Sequence, residues 1–136
     1  MRMRRLLAPI VLMSLCATAH AQAKLMLYGG ADHDVYLGCL NCSDTDAESV
    51  QNESGRYGSE ISAQSIFNET GRYGSRLSPE SPCNPFANDP PVIVDQNSSF
   101  YGYLTLNAAH RKAVTDGRTL NWLTYKVCKK DDEDDE

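Results

Sequence analysis

The segment Glu48-Ser-Val-Gln-Asn-Glu-Ser-Gly-Arg-Tyr-Gly-Ser59 returns 16 residues later as Gln64-Ser-Ile-Phe-Asn-Glu-Thr-Gly-Arg-Tyr-Gly-Ser75. A third and shorter copy begins at the same spacing with Glu80-Ser-Pro-Cys-Asn84. A fixed period of this kind is typical of small structural units that stack on one another. Most of the repeated residues are turn formers, helix caps and packing groups. The repeat therefore predicts architecture and says little about chemistry.

Each copy carries the signals of a short helix. One register holds residue types that cap helix N-termini, namely Asp46, Ser62 and Ser78. Six residues later the register holds asparagine, which suits the end of a helix: Asn52, Asn68 and Asn84. We expect these asparagines to be structural, with side chains that hydrogen-bond to nearby backbone. Each unit should therefore begin with one or two helical turns.

A bend should follow each helical turn, because two glycines flank Arg and Tyr in both intact copies. We expect Gly58 and Gly74 to hold backbone conformations that a side chain would strain. Ile61 and Leu77 then serve as apolar anchors before the next copy.

Two β-hairpins are predicted on either side of the repeats. In the first, residues 24–28 and 35–39 are strand-like runs around a glycine- and aspartate-rich turn. In the second, residues 91–95 and 100–106 flank a polar turn, and simple alternation places Phe100 and Gly102 on the face opposite Tyr101 and Tyr103. Residues 119–128 read as a last strand. The predicted fold is α+β and β-rich, with short helix-turn repeats of 16 residues flanked by β-hairpins in a single small domain.

The ends of the chain predict export. Residues 1–23 have a basic start, a short apolar run and small residues before a cleavage site, which together indicate a signal peptide and no membrane span after its removal. Cys16 raises the alternative of a lipoprotein, although Leu15 stands where a small residue is expected. Residues 24–130 would form the domain, and residues 131–136 an acidic, disordered tail. We predict a secreted or periplasmic protein.

Charge argues against one class of partner. The predicted leader carries three of the 13 basic residues, so the mature chain would have a formal charge of −8. This negative charge argues against a nucleic-acid partner. An unknown protein, an envelope glycan or a small ligand remains open, and we expect no cofactor and no metal.

Four cysteines follow the predicted leader, and an even number in an exported chain favours disulfides. Cys83 occupies a repeat position that holds Gln51 and Phe67 in the other copies, so it should serve a partner outside the repeats. Cys128 is the natural candidate. Cys39 and Cys42 would pair locally or remain thiols, and their spacing also occurs in redox and zinc sites.

Three motifs together carry a resemblance: Tyr36-Leu-Gly-Cys-Leu-Asn-Cys42, the repeated Asn-Glu-x-Gly-Arg-Tyr-Gly-Ser units, and Pro90-Pro-Val-Ile-Val-Asp95 followed by Phe100-Tyr-Gly-Tyr103. The chain resembles, over roughly Leu25 to Asn107, an uncharacterised family of small, mostly bacterial proteins. Members carry an aromatic residue where this chain has Cys83, and the departure supports an added crosslink. The resemblance implies no established activity.

Two function classes follow from the remaining polar residues. An exported binding or structural module would use the regular array of Arg56, Tyr57, Arg72 and Tyr73 to bind its ligand. The alternative is a small secreted enzyme or effector that uses Asp32, His33 and Asp34, because carboxylates beside an imidazole can position a general base. Whether the protein is an enzyme stays open from sequence.

Overall fold

The computed structural model describes residues 22–130. The predicted cleavage site after residue 23 leaves most of the proposed leader outside the described residues, and the acidic tail 131–136 also lies outside them. The elements are β1 (Met26–Gly29), β2 (Val35–Cys39), β3 (Val92–Val94), β4 (Phe100–Tyr103) and α1 (Gly117–Asn121). Helix α1 continues directly into a π-helical segment, Trp122–Val127.

The four strands form one antiparallel sheet in the order β2-β1-β3-β4. Both predicted hairpins are present, and β1 and β3 pair in the centre. The register shifts by one residue between Leu27 and Tyr28, and again between Ile93 and Val94. Gly38 and Gly102 lie beside these irregularities with φ of 108° and 125°, a conformation that glycine adopts without a steric penalty.

The core lies on one side of the sheet. Leu27 and Ile93 point from β1 and β3 into it, where they join Val50 and Ile66 of the repeats and Leu104. We call α1 and the π-helical residues after it, 117–127, the C-terminal helical segment. It contributes two buried side chains, Leu123 and Val127.

Residues 119–127 are helical and Cys128 is the C-cap, so the predicted last strand is wrong. The carboxylate of Asp116 accepts hydrogen bonds from the backbone N–H of Thr119 at 3.0 Å and from its hydroxyl at 2.7 Å, which caps the helix. Leu123 and Val127 are four residues apart and are both buried, a spacing that places them on one helical face.

The repeats contain no helices in the structure, which corrects the predicted helix-turn units. Each copy is instead a succession of tight turns closed by hydrogen bonds from a backbone N–H to the carbonyl three residues earlier. In the second copy the donors and acceptors are Asn68 to Ser65, Gly71 to Asn68 and Gly74 to Gly71, at 3.0 to 3.3 Å. We call residues 46–87 the turn coil.

Serine and asparagine side chains explain why turns replace helices. Ser65 Oγ accepts from the N–H of Phe67 at 3.1 Å, and Asn68 Oδ1 accepts from the N–H of Thr70 at 3.2 Å. Such local bonds offer the backbone an alternative to a helix. The amide of Asn68 also donates to Ser62 O at 3.1 Å, and Asn52 and Asn84 make the equivalent bonds in their copies. The predicted asparagine-to-backbone bonds are therefore present.

Two disulfides close the structure, Cys83–Cys128 and Cys39–Cys42. The first is the crosslink that the break in the repeat predicted. It ties the third copy to the end of the C-terminal helical segment.

Candidate functional site

The candidate site is the face of the sheet that points away from the core. Residues paired directly across an antiparallel sheet share a face, and so do residues two apart in one strand. The pairing therefore builds two rows across the sheet. One row is Phe100, Val94, Met26 and Cys39; the other is Tyr103, Val92, Tyr28 and Tyr36. We call the seven residues other than the disulfide-bonded Cys39 the outer face.

Aromatic contacts extend the second row beyond the sheet at both edges. The ring of Tyr36 lies 5.4 Å from that of Tyr28 and 5.0 Å from that of Tyr57, measured between centroids. At the other edge the Tyr103 ring lies 5.7 Å from His33 and 4.4 Å from His110. Tilted and edge-to-face arrangements of this kind are favourable for aromatic pairs.

The register shift in the second hairpin builds one end of the outer face. Phe100 pairs with Val94 and Tyr103 with Val92, so Phe100 and Tyr103 lie on the same face, with ring centroids 5.3 Å apart. The prediction from simple alternation, which placed them on opposite faces, is wrong because the extra residue resets the alternation.

The outer face is apolar where a polar face would be ordinary. An antiparallel sheet with one face on the core usually presents polar side chains on the other. Here six of the seven residues are half-buried and Phe100 is 44% exposed. A contiguous apolar patch with partial exposure is typical of a contact surface.

Charged groups border the outer face at its two edges. At the β2 edge Lys24 pairs with Glu48, whose carbonyl oxygen accepts the N–H of Cys39 at 2.7 Å. Burial, and then the Glu48 carboxylate, raise the pKa of the Tyr36 hydroxyl above its ordinary value. At the β4 edge Lys112 Nζ lies 5.7 Å from the centroid of the Phe100 ring. An apolar centre with a charged rim resembles the anatomy of protein interfaces.

The array predicted from the repeats is divided between the core and the solvent. Tyr73 is 6% exposed and belongs to the core, while Tyr57 is half-buried against Tyr36. Arg56 and Arg72 are exposed, and Arg72 Nε lies 3.4 Å from Glu80 Oε2. Of the four residues, Tyr57 is the one whose ring adjoins the outer face.

The predicted Asp32-His33-Asp34 cluster lies in the turn between β1 and β2. His33 has a φ of 52°, and its Nε2 lies 3.0 Å from Pro90 O. Asp32 and Asp34 are exposed. The Tyr103 ring contacts both His33 and His110, although the two histidines are far apart in the sequence. Residues 22–130 contain no group of three or more His, Cys, Asp or Glu side chains placed to hold a metal ion.

The pair Cys39 and Cys42 forms a disulfide in the structure, so neither sulfur is a free thiol there. Ser49 Oγ donates to Cys42 O at 3.1 Å, which fixes this loop against the turn coil.

A cleft of about 450 Å³ lies between the turn coil and the C-terminal helical segment. Lys126 and Lys129 line it together with Glu53 and Glu60. Lys129 Nζ is 2.7 Å from Glu60 Oε1 and 3.7 Å from Glu69 Oε1, so its charge is already paired.

Ile61 and Leu77, predicted as anchors, are 91% and 90% exposed. Each lies at the tip of a turn, with its N–H bonded to the hydroxyl of the serine two residues earlier. The prediction that they anchor the core is wrong, because that turn points outward in both copies. Isolated exposed aliphatic residues are common on protein surfaces.

Comparison of the chain with protein-family models, with curated protein sequences and with solved structures found no match in any of the three. Within the described part of the chain, no helix has the length and apolar character that crossing a membrane requires.

The outer face was not predicted from the sequence. The available signal was that Met26, Tyr28, Val92 and Val94 alternate with residues that are themselves apolar, which predicts strands apolar on both faces.

Proposed function

We propose that this protein is an exported binding or structural module that contacts its partner through the outer face of its sheet. The observation that supports the proposal is the apolar, tyrosine-rich outer face on the side opposite the core. Tyrosine suits recognition because its ring supplies contact area and its hydroxyl remains able to hydrogen-bond.

Export is supported by the predicted leader and by the two disulfides, which are typical of oxidising compartments. A secreted or periplasmic location follows from these features as part of the proposal. The partner would then be a component of the envelope or of the extracellular medium.

The test compares an outer-face variant with a matched control. Tyr28→Ser removes a half-buried ring from the centre of the outer face, whereas Ile61→Ser removes an exposed apolar side chain at a turn tip. Each protein is immobilised and exposed to the native envelope fraction. We expect wild type and Ile61→Ser to retain the same component and Tyr28→Ser to lose it. Retention by all three folded proteins would refute the proposed surface.

A further inference from the structure

We propose that the partner on the outer face is a second copy of this chain, so that two sheets pack face to face with a twofold axis parallel to the strands. The inference rests on the proposed function, because it assumes that the outer face is the contact surface.

Sheet packing supplies the first argument. A single sheet that has a core on one side and an apolar face on the other lacks only a second sheet to become a sandwich. Sheets in sandwiches keep their strand directions within about 30° and interdigitate their inner side chains. A second copy offers a sheet of matching width, twist and apolar character.

Charge supplies the second argument, and it selects the axis. The row Phe100, Val94, Met26 and Cys39 runs from one edge of the sheet to the other. Lys112 lies at its Phe100 end, and Glu48 lies at its Cys39 end. Glu48 is already paired with Lys24 in its own copy, so this edge offers the exposed remainder of that carboxylate to a second cation. Lys112 is exposed and pairs with no carboxylate of residues 22–130.

A twofold axis parallel to the strands exchanges the two edges and leaves the strand ends in place. Glu48 of each copy then faces Lys112 of the other. The Tyr103 edge, with its two histidines, faces the Tyr36 and Tyr57 edge of the second copy. An in-plane axis perpendicular to the strands would instead oppose Glu48 to Glu48 and Lys112 to Lys112, which costs energy between like charges.

The size of the face limits the strength of the contact. A standard interface contributes about 800 Å² and roughly 20 to 30 residues from each partner. Seven outer-face residues and their rim fall below that, so the dimer should dissociate at accessible concentrations.

The experiment is sedimentation velocity on the mature, disulfide-bonded chain over about 1 μM to about 1 mM. We expect a monomer–dimer equilibrium in this range. Tyr28→Ser should weaken it at least about tenfold. The control Ile61→Ser should leave it unchanged, since that side chain lies on the turn coil.

A charge exchange tests the axis. Lys112→Glu and Glu48→Lys should each weaken the dimer, and the double variant should restore it because the opposed pairs are re-formed with reversed sign. Circular dichroism and thermal unfolding establish that each variant is folded. Lys112→Glu is informative by itself, because Lys112 is exposed and its change leaves the Lys24–Glu48 pair in place.

A monomer at every concentration would overturn the inference, as would a dimer that Ile61→Ser disrupts and Tyr28→Ser does not. If the double variant loses as much dimer affinity as the two single variants lose together, the proposed axis is wrong. If the chain is monomeric and an envelope protein, glycan or lipid still binds in a Tyr28-dependent way, the proposed function stands and the second copy is excluded as the partner.

Discussion

Gly74→Ala should destabilise the protein because of contact and not because of backbone conformation. Gly74 does not have a positive φ. A Cβ at this position would lie 2.1 Å from the carbonyl oxygen of Asn68 and 2.8 Å from that of Ile66. The predicted reason, a backbone conformation that a side chain would strain, is therefore wrong for Gly74. A side chain is excluded here by the close approach of another part of the chain.

The magnitude follows from what must move. Real Cβ atoms stay at least 3.0 Å from such neighbours, so the Asn68 carbonyl must shift by about 0.9 Å, the difference between 3.0 and 2.1 Å. That carbonyl accepts the N–H of Gly71 at 3.0 Å, and losing this bond costs about 0.5 to 1.5 kcal/mol. Overpacking adds about 1 to 3 kcal/mol, and the stiffer unfolded chain returns up to about 1 kcal/mol. The net loss should therefore lie between about 0.5 and about 4.5 kcal/mol, with the midpoints of the three contributions giving about 2.5 kcal/mol.

Urea unfolding, followed by the fluorescence of the single tryptophan, Trp122, measures this loss directly. Gly58→Ala should lower the free energy of unfolding by a similar amount to Gly74→Ala, because its Cβ would lie 2.1 Å from Asn52 O. Gly117→Ala is the control: apart from its chain neighbours and its own helix backbone, no atom lies within 4 Å of its Cβ, so it should be neutral or stabilising by up to about 1 kcal/mol. A loss below about 0.5 kcal/mol for Gly74→Ala, or equal to that of Gly117→Ala, would refute the reasoning.

Three further predictions concern the turns and the crosslink. Asn68→Ala should lower the free energy of unfolding by about 1 to 3 kcal/mol, because it leaves backbone groups of the turn coil without their hydrogen-bond partner. Asn68→Asp keeps the acceptor oxygen and should lower it by less, and equal losses for the two variants would show that the acceptor is unimportant. Replacing Cys83 and Cys128 by Ala should lower the free energy of unfolding by about 3 to 4 kcal/mol, since their disulfide joins residues 45 apart in the sequence. Peptide mapping under nonreducing conditions checks the pairing, and a bond from either cysteine to a different cysteine would contradict it. Hydrogen bonds from the backbone N–H of Ser99, and then from the Tyr101 hydroxyl and the Asn97 N–H, lower the pKa of Asp95. Asp95 therefore stabilises the fold above the ordinary aspartate pKa, and this stabilisation is lost as the pH falls through the lowered pKa of the folded state. Asp95→Asn should reduce the loss of stability measured by unfolding between about pH 2 and 6, and parallel stability curves for the two proteins would contradict this prediction.

The hairpins could be predicted because their signals are local. Strand β2 has the predicted bounds, and β3 and β4 lie inside the predicted runs. Residues 119–128 were misassigned because Trp122, Thr124 and Val127 favour strands by residue type. The competing evidence was the capping residue Asp116 and the four-residue spacing of Leu123 and Val127.

The turn coil and the outer face were harder to predict for a different reason. Ser62 and Asn68 are capping residues in both a helix and a turn, and only the hydrogen bonds of the folded chain decide between them. The outer face depends on a register shift beside Gly102 that brings Phe100 to the side of Tyr103. Simple alternation along β4 cannot reveal such a shift.

The closure of the turn coil at both ends fixes how many copies this architecture can hold. Ser49, in the first copy, bridges to Cys39 of β2, and Cys83, in the third, is bonded to Cys128. Between them, Arg76 Nη2 donates to Cys128 O at 2.6 Å while Lys129 reaches back to Glu60. Open solenoids lengthen by adding units at a free end. Here an inserted copy would separate these attachment points, so a change in repeat number would require a new C-terminal segment as well.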